Sequence, residues 1–304
     1  MIARLLSAPL LLAVFAIGMG SGIDAMVKAI APDAGLQHLL AWRFLFGGLI
    51  ALSVFRLQKR PAPSLSAIKF HAMRGVVQLG CAFTFFFALM HLPLAMATII
   101  GFTAALMVPF VARILLGERV TPVALIATIV GFAGAALAVM GRPQNGETSE
   151  LWMLGVASCF LAALLYAFGL VLLRMRATME DATTIAMFTN VVPAVILLPI
   201  TFGLMGVPDL GDIPLFLMFG VFGYLTWYVM TLAYARAPAQ RLAPLEYTAL
   251  IWSGLFGSVF FAEYPGWQTW LGGIIIIGAC LIVAFEERFS TRRETHQPVS
   301  DLPE

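Results

Sequence analysis

Charged residues are scarce in this 304-residue sequence. Asp, Glu, Lys and Arg together make up 11% of it, hydrophobic residues 61%, and the mean hydropathy is +0.94. A soluble domain carries about 25% charged residues, and a water-facing surface cannot be built from less than half of that. The expected solvent is therefore lipid. The net charge of +2 is small, and no basic run is interleaved with aromatics, so nucleic acid is not an expected partner. Histidine is equally sparse, with four residues and no HExxH or HxxxH spacing, so no metal site is expected. Cys81, Cys159 and Cys280 lie far apart inside apolar runs and read as packing residues. No GxxxxGK[ST] loop is present to couple nucleotide hydrolysis to work. The sequence also lacks a zinc pair, a GxSxG with a His and paired aspartates. An intramembrane enzyme is not expected, nor is a cofactor.

Long apolar runs are abundant. A membrane-spanning helix needs about 20 mainly apolar residues. Ten such runs are present, at 8–29, 36–56, 67–90, 93–116, 121–140, 151–173, 182–203, 212–235, 240–262 and 267–286. The expected fold is an all-α integral membrane protein of ten transmembrane helices. The breaks are short and polar, as in RLQKRPAPS at 56–64 and GRPQNGETSE at 141–150, and leave no room for a soluble domain. Arg4 before the first run resembles the start of a signal peptide, but nine further spans favour its retention as helix 1. The tail 287–304 has no apolar period and is expected to be disordered. Placing both termini in the cytoplasm puts 15 of the 18 Lys and Arg residues on that side. Only Lys28 and Arg142 then fall outside, as the positive-inside rule requires.

The chain also repeats itself. A shift of 145 residues pairs Pro93 with Pro238, Thr103 with Thr248, Ala104 with Ala249 and Glu118 with Glu263. Each matched segment opens near a Pro, runs about 25 apolar residues and ends at a Glu. Two five-helix halves follow, at 1–145 and 146–286. Five is odd, so the halves cross the membrane in opposite directions. One pattern in two orientations can open a central site first to one side and then to the other.

The endings LLGERVTP (115–122) and FFAEYPGW (260–267), with TIVGFAGAALAVMG (128–141) and GGIIIIGACLIVAF (272–285) behind them, resemble the EamA type of the drug/metabolite transporter superfamily. The resemblance covers residues 8–286 and is clearest in helices 4–5 and 9–10. It implies a carrier of the bacterial inner membrane for amino acids and related metabolites, for vitamins such as riboflavin, or for S-adenosylmethionine, and the family holds exporters and importers. The expected function is secondary transport of an amino-acid-derived solute, with export favoured and vitamin or nucleoside-like import as the alternative. A structural or accessory membrane protein is the reading from another class, and no ring of acidic residues suggests a channel filter. The expected partners are the solute and the lipid bilayer, with proton coupling admitted and the protein a monomer or homodimer.

Charges inside a span cost several kcal/mol, roughly 2.5–3.5 on insertion scales, so the polar residues of the spans are the candidates for chemistry. Asp24 and Lys28 share a face of helix 1, and Arg43 enters helix 2 from the same side. The three are expected to neutralise one another, as an ion pair fixing the two helices or as an outer gate with a substrate-carboxylate site at Arg43. On helix 3, His71 and Arg74 are expected to snorkel, while the mid-span Gln78 serves as helix glue or as a substrate contact. Tyr224, Trp227 and Tyr228 form an aromatic stripe on helix 8 that suits an amphipathic solute. Tyr166 and Asn190 are expected to line the same central space. Helix 9 contributes Trp252 and Glu246, an intramembrane carboxylate suited to a substrate amine or a proton. The alternative for Glu246 is an ion pair with Arg241, Arg74 or Arg113. Gly101, Gly131, Gly134, Gly169, Gly273 and Gly278 are expected to permit close helix packing.

Overall fold

A computed structural model describes residues 9–141, 149–176, 180–204, 206, 213–234 and 242–295. Every element among them is helical. In chain order these are α1 (Pro9–Ala34), α2 (Leu36–Leu57), α3 (Leu65–His91), α4 (Leu94–Leu116), α5 (Pro122–Met140), α6 (Trp152–Arg176), α7 (Ala182–Leu204) and α8 (Ile213–Tyr234). A 3₁₀ helix (Ala243–Thr248) then leads into α9 (Ala249–Phe261), and α10 (Trp267–Thr295) follows. Among the described residues, nine helices are long and apolar enough to cross a membrane. The ninth apolar run spans differently. The 13 residues of α9 and the six of the 3₁₀ helix, at ~1.5 and ~2.0 Å per residue, together reach roughly 31 Å, the thickness of the hydrocarbon core.

Local sequence sets the helix ends. Ser64 caps α3 by accepting from the Ala67 N–H at 3.2 Å, and Thr121 caps α5 by accepting from the Ala124 N–H at 3.1 Å. Pro122 follows Thr121 in the first turn, where its missing N–H costs nothing. Gly117 ends α4 with φ 72°, the left-handed conformation that glycine adopts freely. Ala262, which the 145-residue shift matches to Gly117, ends α9 in the same left-handed region with φ 51°, although its Cβ makes that conformation costly. A turn geometry is thus repeated where the residue is not.

The packing also exchanges between halves. α1 packs on α8 and α9, while α6, its counterpart, packs on α3 and α4; α2 lies against α7, and α5 against α10. Lipid tails are as apolar as leucine, so these contacts gain from close approach rather than from apolar burial. At the α5–α10 crossing, a Cβ added at Gly272 would lie 2.4 Å from the Gly134 carbonyl oxygen. Gly131, Gly134 and Gly273 are tightly packed, as expected, whereas a Cβ at Gly169 or Gly278 would meet nothing within 4 Å. Large apolar side chains face outward, among them Ile129 of α5 and Phe260 of α9, which are 63% and 68% exposed, as lipid contact requires.

Two boundaries differ from the sequence expectation. α10 continues to Thr295, so the tail expected to be disordered from 287 is helical that far. Residues 286–295 hold neither Gly nor Pro, and the first Pro is Pro298. Residues 296–304 lie outside the described residues. α1 runs past the expected end at 29 to Ala34, with Pro32 inside it. A one-residue turn at Gly35, φ 79°, then starts α2.

Candidate functional site

Arg43 forms the centre of the site. It sits two turns into α2, and its guanidinium carbon lies 5.3 Å from the ring centre of Phe44, 5.1 Å from Phe86 of α3 and 5.8 Å from Phe219 of α8. Aromatic faces attract a guanidinium, more strongly where water is excluded. Gly223 lets α8 approach: a Cβ there would lie 3.5 Å from Arg43 Nε. Asp24 of α1 is the carboxylate whose field acts on Arg43. No ion pair within 4 Å joins the two among the described residues. The result is a cation flanked by three rings, with the buried Asp24 carboxyl close enough for its charge to be felt. An anion of the size of a carboxylate is its natural complement.

The expected Asp24–Lys28–Arg43 cluster divides in two. Lys28 turns away from Asp24 and pairs with Glu263 of the α9–α10 connection, Nζ to Oε1 at 2.6 Å, with both side chains largely buried. Lys28 also donates to the Leu92 carbonyl, and Glu263 accepts from the Leu94 N–H at 2.9 Å. The partner lies more than 200 residues away, and only the family-like FFAEYPGW ending signals it.

The remaining candidates surround α2 and α8 or lie beyond them. Asn190 of α7 closes on α2 at Gly47, one turn after Arg43, where an added Cβ would be 2.7 Å from its amide oxygen, and its Nδ2 donates to the Ala186 carbonyl at 2.9 Å. Tyr224 and Tyr228 of α8 stack with ring centres 6.2 Å apart and planes 14° from parallel. The side chain of Trp227 lies outside the described residues. Trp252 of α9 packs its indole on α1 at Gly18 and contacts Phe256 at 5.9 Å. Gln78 is half-buried on α3, and Tyr166 of α6 is exposed. Glu246 is exposed within the 3₁₀ helix, while its neighbour Tyr247 turns edge-on to Phe102 of α4 at 5.2 Å.

His71 and Arg74 do not snorkel; both are buried. The His71 ring stacks on Phe188 of α7 at 4.9 Å, and its Nε2 pairs with the Glu180 carboxylate. Arg74 Nε donates to His71 Nδ1 at 3.4 Å, and Arg74 Nη2 donates to the Ile185 carbonyl at 3.0 Å and to Thr189 Oγ1. Snorkelling fails because burial is offset for both residues: α7 supplies acceptors to Arg74, and Glu180, just before α7, pairs with His71. Sequence reasoning missed this network, since Glu180 follows a short connection with no motif of its own.

The chain has relatives among known proteins. The model of the EamA-like transporter family matches it twice, at residues 6–140 and 153–285, one match per half. An S-adenosylmethionine uptake transporter of Rickettsia bellii is 23% identical, over 90% of this chain and 95% of its own. A riboflavin transporter of Brucella anthropi is 26% identical over 83% and 88%, and a pseudopaline exporter of Pseudomonas aeruginosa is 25% identical over 93% and 98%. A solved crystal structure matches 93% of this chain and 97% of its own with a TM-score of 0.61 at 20% identity, which shows a shared fold.

Proposed function

Because the chain belongs to the EamA-like transporter family, a family of multi-pass membrane transporters, we propose that it is a secondary carrier which moves a small amino-acid-derived solute by alternating access, with export favoured. Arg43 is the observation that carries the reading. A guanidinium enclosed by Phe44, Phe86 and Phe219 suits the carboxylate of such a solute, and the stacked Tyr224 and Tyr228 suit an apolar or ring-bearing remainder. Import of a vitamin or nucleoside-like metabolite is the second reading. It is favoured by the uptake and riboflavin carriers among the relatives. The carrier works as a monomer or homodimer and is coupled to protons through Glu246.

Both readings predict counterflow. Proteoliposomes preloaded with unlabelled amino acids, S-adenosylmethionine or riboflavin should accumulate the labelled form of one of them. Failure of every carboxylate-bearing solute, with exchange of a solute that lacks one, would overturn the role of Arg43. Failure of all solutes by a well-folded protein would favour an accessory role.

Orientation is the second expectation. The 15-to-2 basic asymmetry supports an orientation with both termini in the cytoplasm of an inner membrane. Reporter fusions after residues 145 and 208 should report the outside, and those after 62 and 290 the inside. Reversal at two of these sites would remove the assignment.

A further inference from the structure

The Lys28–Glu263 pair has a counterpart at the other end of the molecule. Arg174 of α6 pairs with Glu118, just beyond α4, at 3.2 Å. The 145-residue shift that carries Gly117 and Glu118 onto Ala262 and Glu263 carries Lys28 to within one residue of Arg174. Each acid follows a residue in the left-handed conformation, Gly117 in one half and Ala262 in the other. The two pairs are separated by the length of α4. Leu94, bonded to Glu263, begins that helix, and Glu118 follows the end of its 23 residues, roughly 35 Å away. Both pairs join one half of the chain to the other: Lys28 of the first half reaches an acid of the second, and Arg174 of the second reaches an acid of the first.

The two are not made equally. Lys28 and Glu263 are 13% and 16% exposed, 2.6 Å apart and held by two further backbone hydrogen bonds. Arg174 and Glu118 are 65% and 44% exposed. A partly desolvated, hydrogen-bonded pair resists separation, whereas an exposed pair contributes little. Inverted repeats that exchange conformations would exchange these two states as well.

We propose that Lys28–Glu263 and Arg174–Glu118 are symmetry-related positioning pairs that latch opposite ends of the transport path in turn, and that in this structure the Lys28–Glu263 end is the one held shut. This rests on the carrier reading, but its test needs no solute. Spin labels are placed at Asp33 and Tyr264, beside the first pair, and at Arg119 and Met175, beside the second. The three native cysteines are replaced by alanine, and distances are measured in proteoliposomes. Glu263→Gln removes the charge but keeps an acceptor for the Leu94 N–H. It should raise the ratio of long to short Asp33–Tyr264 distances about tenfold while narrowing the Arg119–Met175 distribution towards its short distances, as the exposed Arg174–Glu118 pair becomes the buried one. Lys28→Met should do the same, and Glu118→Gln the reverse. Unchanged distances in a monodisperse Glu263→Gln protein, or lengthening at both ends together, would overturn the proposal. Reciprocal opening in a protein that fails every counterflow assay would fault the solute assignment and leave the latches standing.

Discussion

Arg43→Gln should cut solute binding and counterflow by about 10- to 150-fold, the factor that follows from losing a charged hydrogen bond of roughly 1.5–3 kcal/mol. The difficulty is that Arg43 also balances Asp24. Removing the guanidinium leaves a carboxylate uncompensated among apolar helices, and a folding defect alone could silence the protein. The double variant Arg43→Gln/Asp24→Asn separates the two effects, because no charge then remains without its balance. It should recover the yield and thermal stability of the parent and still fail to transport. Arg43→Lys should fall between, since an ammonium keeps the charge but loses the planar fork and its fit among Phe44, Phe86 and Phe219. Transport restored in the double variant would make Arg43 a structural ion with no part in recognition.

The cluster around Arg43 shows where sequence reading succeeds and where it stops. Nine of the ten apolar runs appear among the described residues as helices long and apolar enough to cross a membrane, because length and hydropathy alone decide what can span a bilayer. The 145-residue shift located the two halves, each of which the family model matches, even though few residues are identical. What failed was pairing. Asp24 and Lys28 are four apart on one helix, and that spacing favours a local ion pair. Yet Lys28 finds a desolvated carboxylate and a free carbonyl where α3, α4 and the α9–α10 connection meet. Such a partner is set by the packing of three elements, and no local pattern encodes it. His71 and Arg74 repeat the point: their place near the cytoplasmic end of the span suggested snorkelling, but Glu180 pairs with His71 and α7 supplies acceptors to Arg74, and both are buried. The 3₁₀ segment escaped for another reason. Pro244 marks a helix start equally well with or without a tightened turn behind it, so the sequence of the ninth run reads as one regular helix.

That segment frames the expectation for Glu246. The counterpart crossing, α4, is a regular helix of 23 residues, whereas the ninth crossing is tightened over Ala243–Thr248. Discontinuous spans are where transporters place ion and substrate sites, and the 3₁₀ segment breaks this crossing ahead of α9. Glu246 lies in this stretch with its carboxylate exposed, while Tyr247 anchors the same turn against Phe102. A carboxylate at such a break can take up a proton from one side and release it to the other as the path switches. Glu246→Gln keeps shape and hydrogen bonding but removes titration. It should abolish transport driven by a pH gradient while equilibrium solute exchange continues in the same vesicles. A fixed buried ion pair would behave otherwise: its loss would cost roughly 3–5 kcal/mol and appear as poor yield and early unfolding. The decisive comparison sets pH-driven uptake beside exchange for parent and variant in one preparation. A well-folded Glu246→Gln protein that still concentrates solute against a pH gradient would remove the proton role and leave Glu246 as a partner for a substrate amine.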